Sequence, residues 1–150
     1  MDCEIRQMTL ADHPEASRLW TQTEGMSLVE DDNQEGISLY LERNQGLCFV
    51  ALVGGNLIGT VLCGHDGRRG IMRHLAVQKE FRNQGIALLL VQKSLAALSE
   101  QGIKKCNIFV LDDNVPGLKF WEHIGFYHLA DDHSLLQLGT DDFSQKAKLN

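Results

Sequence analysis

The sequence predicts a mixed α/β domain: a central, mostly antiparallel sheet with one parallel strand–helix–strand crossover and helices on both faces. Three observations carry this reading. Two apolar, β-rich runs, 47–53 and 56–64, meet at Gly54-Gly55-Asn56, the composition of a tight hairpin turn. From Ile86 onward, Leu88, Val91, Leu95 and Leu98 recur at i, i+3, i+7 and i+10, a helical stripe that must face a sheet. That helix lies between two strand-like runs, 71–77 and 105–111, and a helical crossover makes such strands parallel.

The elements follow in order. Residues 3–8 alternate and read as a first strand. Thr9 or Asp12 then caps a helix through Ala16, Leu19 and Trp20, with Pro14 tolerated in its first turn. A loop from Gly25 to Gly36 precedes a short second helix over 37–41. The hairpin 47–64 comes next, and the turn His65-Asp66-Gly67-Arg68-Arg69-Gly70 leads into the strand 71–77. The long helix ends at Gly102. The strand 105–111 and a helix over 115–124, closed by Gly125, follow it. Residues 126–130 and 135–139 read as a last hairpin around Asp131-Asp132-His133-Ser134. A polar tail from Thr140 ends the chain. Residues 1–139 are thus expected to form a single domain, with 140–150 as the tail.

Bulk properties exclude several classes. The chain has 150 residues and a formal charge of −6, which argues against nucleic acid, because phosphate binding wants a basic face. No apolar run approaches the roughly 20 residues of a membrane helix, and the start Met1-Asp2-Cys3-Glu4 lacks the features of a signal peptide. Cys3, Cys48, Cys63 and Cys106 stand singly in apolar stretches without C-x-x-C spacing, which suits buried thiols in a reducing compartment. These features predict a cytoplasmic protein with no metal. Monomer and homodimer both stay open.

The segment Lys79-Glu80-Phe81-Arg82-Asn83-Gln84-Gly85 is unusual ahead of a helix. A helix start normally offers a capping Ser, Thr or Asp; here the boundary residue is a glycine, which accepts nothing. Free N–H groups at a helix N-terminus attract anions. Gly85 lets a phosphate approach closely, and Arg82 adds a donor fork. The bland reading is a helix that happens to begin at glycine, with Arg82 solvated. The segment is neither a G-x-G-x-x-G fingerprint nor a P-loop.

Two blocks extend the pattern. His74-Leu75-Ala76-Val77 followed by Arg82-Asn83-Gln84-Gly85-Ile86-Ala87 resembles the [R/Q]-x-x-G-x-[G/A] signature of the GNAT superfamily, the acetyl-CoA-dependent N-acetyltransferases. Downstream, Asn114, Gly117, Gly125 and Phe126 resemble that family's second block, and the order of elements matches over nearly the whole chain. The resemblance implies an acetyl-CoA site. The backbone of Leu75, Ala76 and Val77 would pair with the pantetheine arm, and Leu75 N–H would point at the thioester carbonyl. Residues Arg82, Asn83, Gln84, Gly85, Ile86 and Ala87 would wrap the pyrophosphate. Asn114 would contact the pantetheine or order the adjoining strand, and Trp121 would fill space beside the thioester. It further implies transfer of acetyl to a primary amine of a small molecule or peptide.

The chain departs from the family pattern at two places. Many relatives carry a glutamate early on the central strand as the base; Ile71 stands there. His74, His65, Asp66 or an acidic-loop carboxylate are the substitutes, each with a plain structural alternative. Relatives usually have a tyrosine acid where this chain has Trp121. Tyr127 is either its replacement or an ordinary strand residue. A thiol pKa of about 8.5 lets sulfur leave as thiolate without an acid. These departures keep a second reading open, a non-catalytic acyl-CoA-binding sensor of the same fold. Glu24, Glu30, Asp31, Asp32 and Glu35 crowd the loop between the first helices, either as a solvated face or as an attractor for a cationic amine. Trp20, Leu28 and Tyr40 either line the same site or simply pack.

Overall fold

The computed structural model describes residues 2–129 and 134–142. Five strands, β1 (Cys3–Gln7), β2 (Phe49–Val53), β3 (Asn56–His65), β4 (Gly70–Val77) and β5 (Cys106–Asn107), form one sheet in chain order. The first four are antiparallel neighbours, and β5 runs parallel to β4. Four α-helices accompany them: α1 (His13–Gln22), α2 (Gln34–Arg43), α3 (Ile86–Glu100) and α4 (Val115–His123). The predicted fold class holds.

Alternation along the strands divides the core between the two faces. On one face Ile86, Leu90, Val91 and Leu98 of α3 pack on Ala51, Val61, Cys63 and Met72, with Trp121 of α4 and Ile124 just past its end at the margin. On the other, Ala16, Leu19 and Trp20 of α1 and Ile37 of α2 pack on Val50, Leu52, Leu62 and Ala76. The β2–β3 turn has positive φ at both Gly54 and Gly55, the two-residue turn whose twist matches its strands.

Three local expectations differ from the structure. The buried stripe of α3 is Ile86, Leu90, Val91, Ser94 and Leu98, whereas Leu88 and Leu95 lie on the exposed flank. Ser94 can be fully buried because its hydroxyl donates to Leu47 O at 2.7 Å, so a polar residue occupies a core position. The strand expected over 105–111 pairs only at Cys106 and Asn107, after which it leaves β4. Finally, 126–129 and 135–139 are irregular rather than strands, with Leu135 and Leu136 exposed; alternation alone cannot make a strand without a partner edge. The turn residues Asp131, Asp132 and His133 of that expected hairpin lie outside the described residues.

Helix starts follow the sequence closely. Asp12 precedes α1, with Pro14 in its first turn, but its carboxylate serves Arg6 and the Thr9 N–H instead of capping. Asn33 caps α2 by accepting from Gly36 N at 2.8 Å. Gly36 permits a close approach there, since a Cβ would strike the carbonyl of Asp31. That approach seats the turn Glu30–Asp32 on the first turn of α2, which is what aims Asp32 at the sheet.

Candidate active site

The site begins with a bulge in β4. Thr60 pairs with Ala76 and Leu62 with Arg73, so β4 holds one more residue than β3 over this stretch. His74 takes φ of 52°, a left-handed conformation uncommon outside glycine. A buried relay pins it. The Trp20 indole N–H donates to Thr60 Oγ1 at 2.9 Å, and the Thr60 hydroxyl donates to His74 O at 2.8 Å. Trp20 and Thr60 are both fully buried, so every polar atom in this relay needs the partner it has.

The bulge has two consequences. Arg73 and His74, consecutive in sequence, both lie on the face that carries α1 and α2. Arg73 does so by its pairing with Leu62, and His74 by its ring, which stands edge-on to Trp20 with centroids 4.8 Å apart. The second consequence concerns the backbone. Val61 alone stands on β3 against both His74 and Leu75, and on the other side β5 accompanies β4 only as far as Ile71. The β4 edge from Met72 to Val77 therefore faces an opening wedge, where an extended ligand can add as a strand would.

His74 is held on its ring side as well. Its Nε2 lies 2.7 Å from Asp32 Oδ1, and Asp32 Oδ2 accepts from Val29 N at 2.9 Å. His13 Nε2 bonds the Asp32 carbonyl at 2.9 Å. Asp32 thus belongs to an ordered His–Asp pair, with side chains only 16% and 11% exposed, rather than to a solvated loop. A carboxylate that fixes one ring nitrogen leaves the other free to take a proton.

Past β4 the chain makes a short turn, Lys79–Phe81, and reaches α3 through Asn83 and Gly85, both with positive φ. Among the described residues no side chain caps α3, and the first intrahelical bond to Gly85 O comes from Leu89 N. The N–H groups of Ile86, Ala87 and Leu88 point out of the helix end. A Cβ on Gly85 would meet none of the described residues within 4 Å, so they leave space in front of this loop. Arg82 acts first as a strut: Nε donates to Val77 O at 2.8 Å and Nη1 to Glu24 Oε2 at 3.2 Å. Its guanidinium ties the end of β4 to the segment after α1.

The remaining candidates scatter. Asn114 Oδ1 accepts from Gly117 N at 3.1 Å and caps α4, which explains the small residue three positions on. Trp121 sits between Phe120 and Phe126, its centroid 5.1 and 4.9 Å from theirs, against the α3 side of the core. Tyr127 is 70% exposed beyond the end of α4. His65 bonds Gln101 and Gly67 N, while Asp66 accepts from Arg68 N and Arg69 N; these bonds hold the Asp66 carboxyl below the usual carboxylate range. His65 ends β3 and Asp66 opens the turn before β4. Among the described residues no group of His, Cys, Asp and Glu is placed to hold a metal.

The sequence reading missed Thr60 and the pairing of Asp32 with His74. A threonine inside the apolar run Leu57–Cys63 was the available signal for the first. Nothing local signals the second, because the partners are 42 residues apart.

A family model described as the acetyltransferase (GNAT) family matches residues 8–126. The chain belongs to the GNAT family. Solved structures agree with this GNAT protein in fold at low identity. Ard1 from Thermoplasma volcanium superimposes with a TM-score of 0.77 at 20% identity, covering 87% of this chain and 86% of that one. PaiA N-acetyltransferase from Thermoplasma acidophilum, in complex with coenzyme A, gives 0.72 at 21% over 85% and 91%. AAC(6')-Iy, in complex with the bisubstrate analog CoA-S-monomethyl-acetylneamine, gives 0.74 at 17% over 93% and 100%.

Proposed function

We propose that this GNAT protein is an N-acetyltransferase that moves the acetyl group of acetyl-CoA to a primary amine of a small molecule or peptide. The observation that carries the reading is the wedge beside the bulged β4, which leads from Leu75 to the uncapped start of α3. Similar proteins bind CoA or a CoA-linked analog, which supports the same donor here. Acetyl-CoA supplies an acetyl group already activated as a thioester.

The chain's own groups divide the remaining tasks. The backbone of Leu75, Ala76 and Val77 offers strand-like hydrogen bonds to an extended arm. N–H groups from the loop Arg82–Ala87 receive phosphate, aided by the partial positive charge of the α3 N-terminus. Leu75 N–H donates to the oxygen that gains charge, and a fixed donor needs no reorganisation at that moment. His74 takes the proton of the attacking amine on Nδ1, while Asp32 holds Nε2–H and so selects the tautomer. Sulfur leaves as thiolate, so neither Trp121 nor Tyr127 needs to supply a proton. Trp121 and Asn114 shape and brace the α4 side. The reduced cysteines suit a cytoplasmic location.

Calorimetry with acetyl-CoA, followed by a free-thiol assay over an amine panel, tests the reading. Binding and amine-dependent thiol release are the expected results. Absence of CoA affinity overturns it; affinity without turnover by any amine favours the sensor reading.

A further inference from the structure

On the α2 face, where β4 and β5 are still paired, a cleft of about 340 Å³ opens beside Ile71 and Asn107. Among the described residues Arg43, Arg69 and Arg73 line it, against the single carboxylate of Asp66. That carboxylate already accepts two backbone N–H groups of its own turn. This concentration of positive charge is not background, since the chain carries 20 acidic residues against 14 lysines and arginines.

Tyr40 supplies a second, independent observation. Tyr40 lines the same cleft, and its hydroxyl is buried with no hydrogen-bond partner among the described residues. An orphaned buried hydroxyl is costly unless a ligand completes it. Burial pushes the phenol upward, outweighing the opposing charge of Arg73, so it stays a donor. Arg43 Nη2 and Arg69 Nη1 each donate to one backbone carbonyl, of His65 at 3.4 Å and of Arg68 at 3.2 Å; the remaining guanidinium N–H groups and the neutral hydroxyl are a donor set for a carboxylate.

The position of the cleft fixes which substrate carries that carboxylate. Gly70, on its rim, packs against Leu98, and His65 bonds Gln101, both near the C-terminal end of α3. Gly85 lies at the other end, about 20 Å away at 1.5 Å per residue. The cleft is therefore remote from the phosphate loop. It is close to the reacting atoms: Arg73 immediately precedes His74 and stands two residues, about 7 Å, from Leu75.

We infer that the acceptor is a small amine bearing a carboxylate, of the amino-acid type, with its anionic group held by Arg73, Arg43, Arg69 and Tyr40 while its amine meets His74. This rests on the acetyltransferase reading above and narrows its acceptor. It also runs against one of the two readings of the acidic loop, that of an attractor for a cationic amine, since two of its carboxylates are engaged with His74 and Arg82.

The test compares the amino acids with their carboxamides as acceptors, in the full chain with acetyl-CoA. A carboxamide amine loses its proton more readily, so intrinsic reactivity runs against the expected result. The inference expects kcat/KM about a hundredfold higher for an acid than for its amide, carried by KM, and Arg73→Gln bringing the ratio near unity. Amides used as well as acids, or a ratio unchanged in Arg73→Gln, overturn it. A readout independent of turnover is NMR of the arginine Nε–H groups titrated with N-acetylglycine and with N-acetylglycinamide. Shifts with the first alone, lost in Arg73→Gln, support the anion site even if no amine turns over, in which case the acetyltransferase reading is what fails. Equal responses to both probes, or to neither, overturn the inference.

Discussion

His74 Nε2 lies 2.7 Å from Asp32 Oδ1, so the turn ahead of α2 reaches across to the bulged strand and holds the ring that the bulge presents. If His74 takes the amine proton, His74→Gln lowers kcat/KM about 10²–10⁴-fold while acetyl-CoA affinity stays. Asp32→Asn loses less, because a carboxamide oxygen still accepts from Nε2–H. Steady-state rates across the neutral pH range check this. A His74→Gln enzyme at full rate would remove His74 from the mechanism.

The Trp20–Thr60–His74 relay makes Thr60 the structural key of the bulge. Thr60→Val keeps the shape but strands the indole N–H and the His74 carbonyl in the core. It is expected to cost about 1–3 kcal/mol in urea unfolding and to lower kcat as well. Unchanged stability would mean that the bulge holds without the hydroxyl.

Two substitutions at Gly85 separate strain from ligand contact. With φ of 82°, Gly85→Ala is expected to lose about 1–2 kcal/mol of stability, while the open space before it spares some CoA affinity. Gly85→Asp adds a negative charge where phosphate would lie and is expected to abolish CoA binding. Calorimetry on the folded variants decides; tight CoA binding by Gly85→Asp would locate the phosphates elsewhere.

Acid stability should report the Arg6–Asp12 pair, two parallel bonds of 2.8 Å. Burial alone would raise the Asp12 carboxyl, but the bonds from Arg6 and Thr9 outweigh it and hold it below the ordinary range. The folded value lies under the unfolded one, so the stabilisation is full above the unfolded pKa of about 3.9 and is lost as pH falls through the folded value. Asp12→Asn is expected to cost about 1.5–3 kcal/mol at neutral pH and to flatten the acid limb of the stability curve. Unfolding at neutral and acid pH checks both parts.

What was legible in the sequence was what is local. The uncapped start at Gly85 and the hairpin at Gly54-Gly55 each lie within a few consecutive residues. So does the Pro14 helix start, and each stood where its residues pointed; the cap that Asn114 makes on α4 through Gly117 N was not read from the sequence, which suggested only a pantetheine contact or a brace for the adjoining strand. The bulge was not legible, because it depends on Trp20 and Thr60 meeting 40 positions apart and on a register no periodicity encodes. Asp32 read as one more acidic loop residue for the same reason. The expected strand over 135–139 failed in the opposite way: Leu135, Leu136 and Leu138 supply an apolar run, but no neighbouring edge pairs with it among the described residues.

The bulge sets side by side one residue locked into the interior relay, His74, and one standing in solvent, Arg73. Exposed positions usually tolerate replacement within about 0.5 kcal/mol, whereas the relay does not. Acceptor preference and folding can thus drift separately. Randomised libraries at 43, 69 and 73 should consist mostly of folded proteins with altered amine choice. Libraries at 20 and 60 should return few survivors beyond the parent residues. If these arginines hold the acceptor, a lineage built on this arrangement can change its acceptor one arginine at a time while the relay stays untouched.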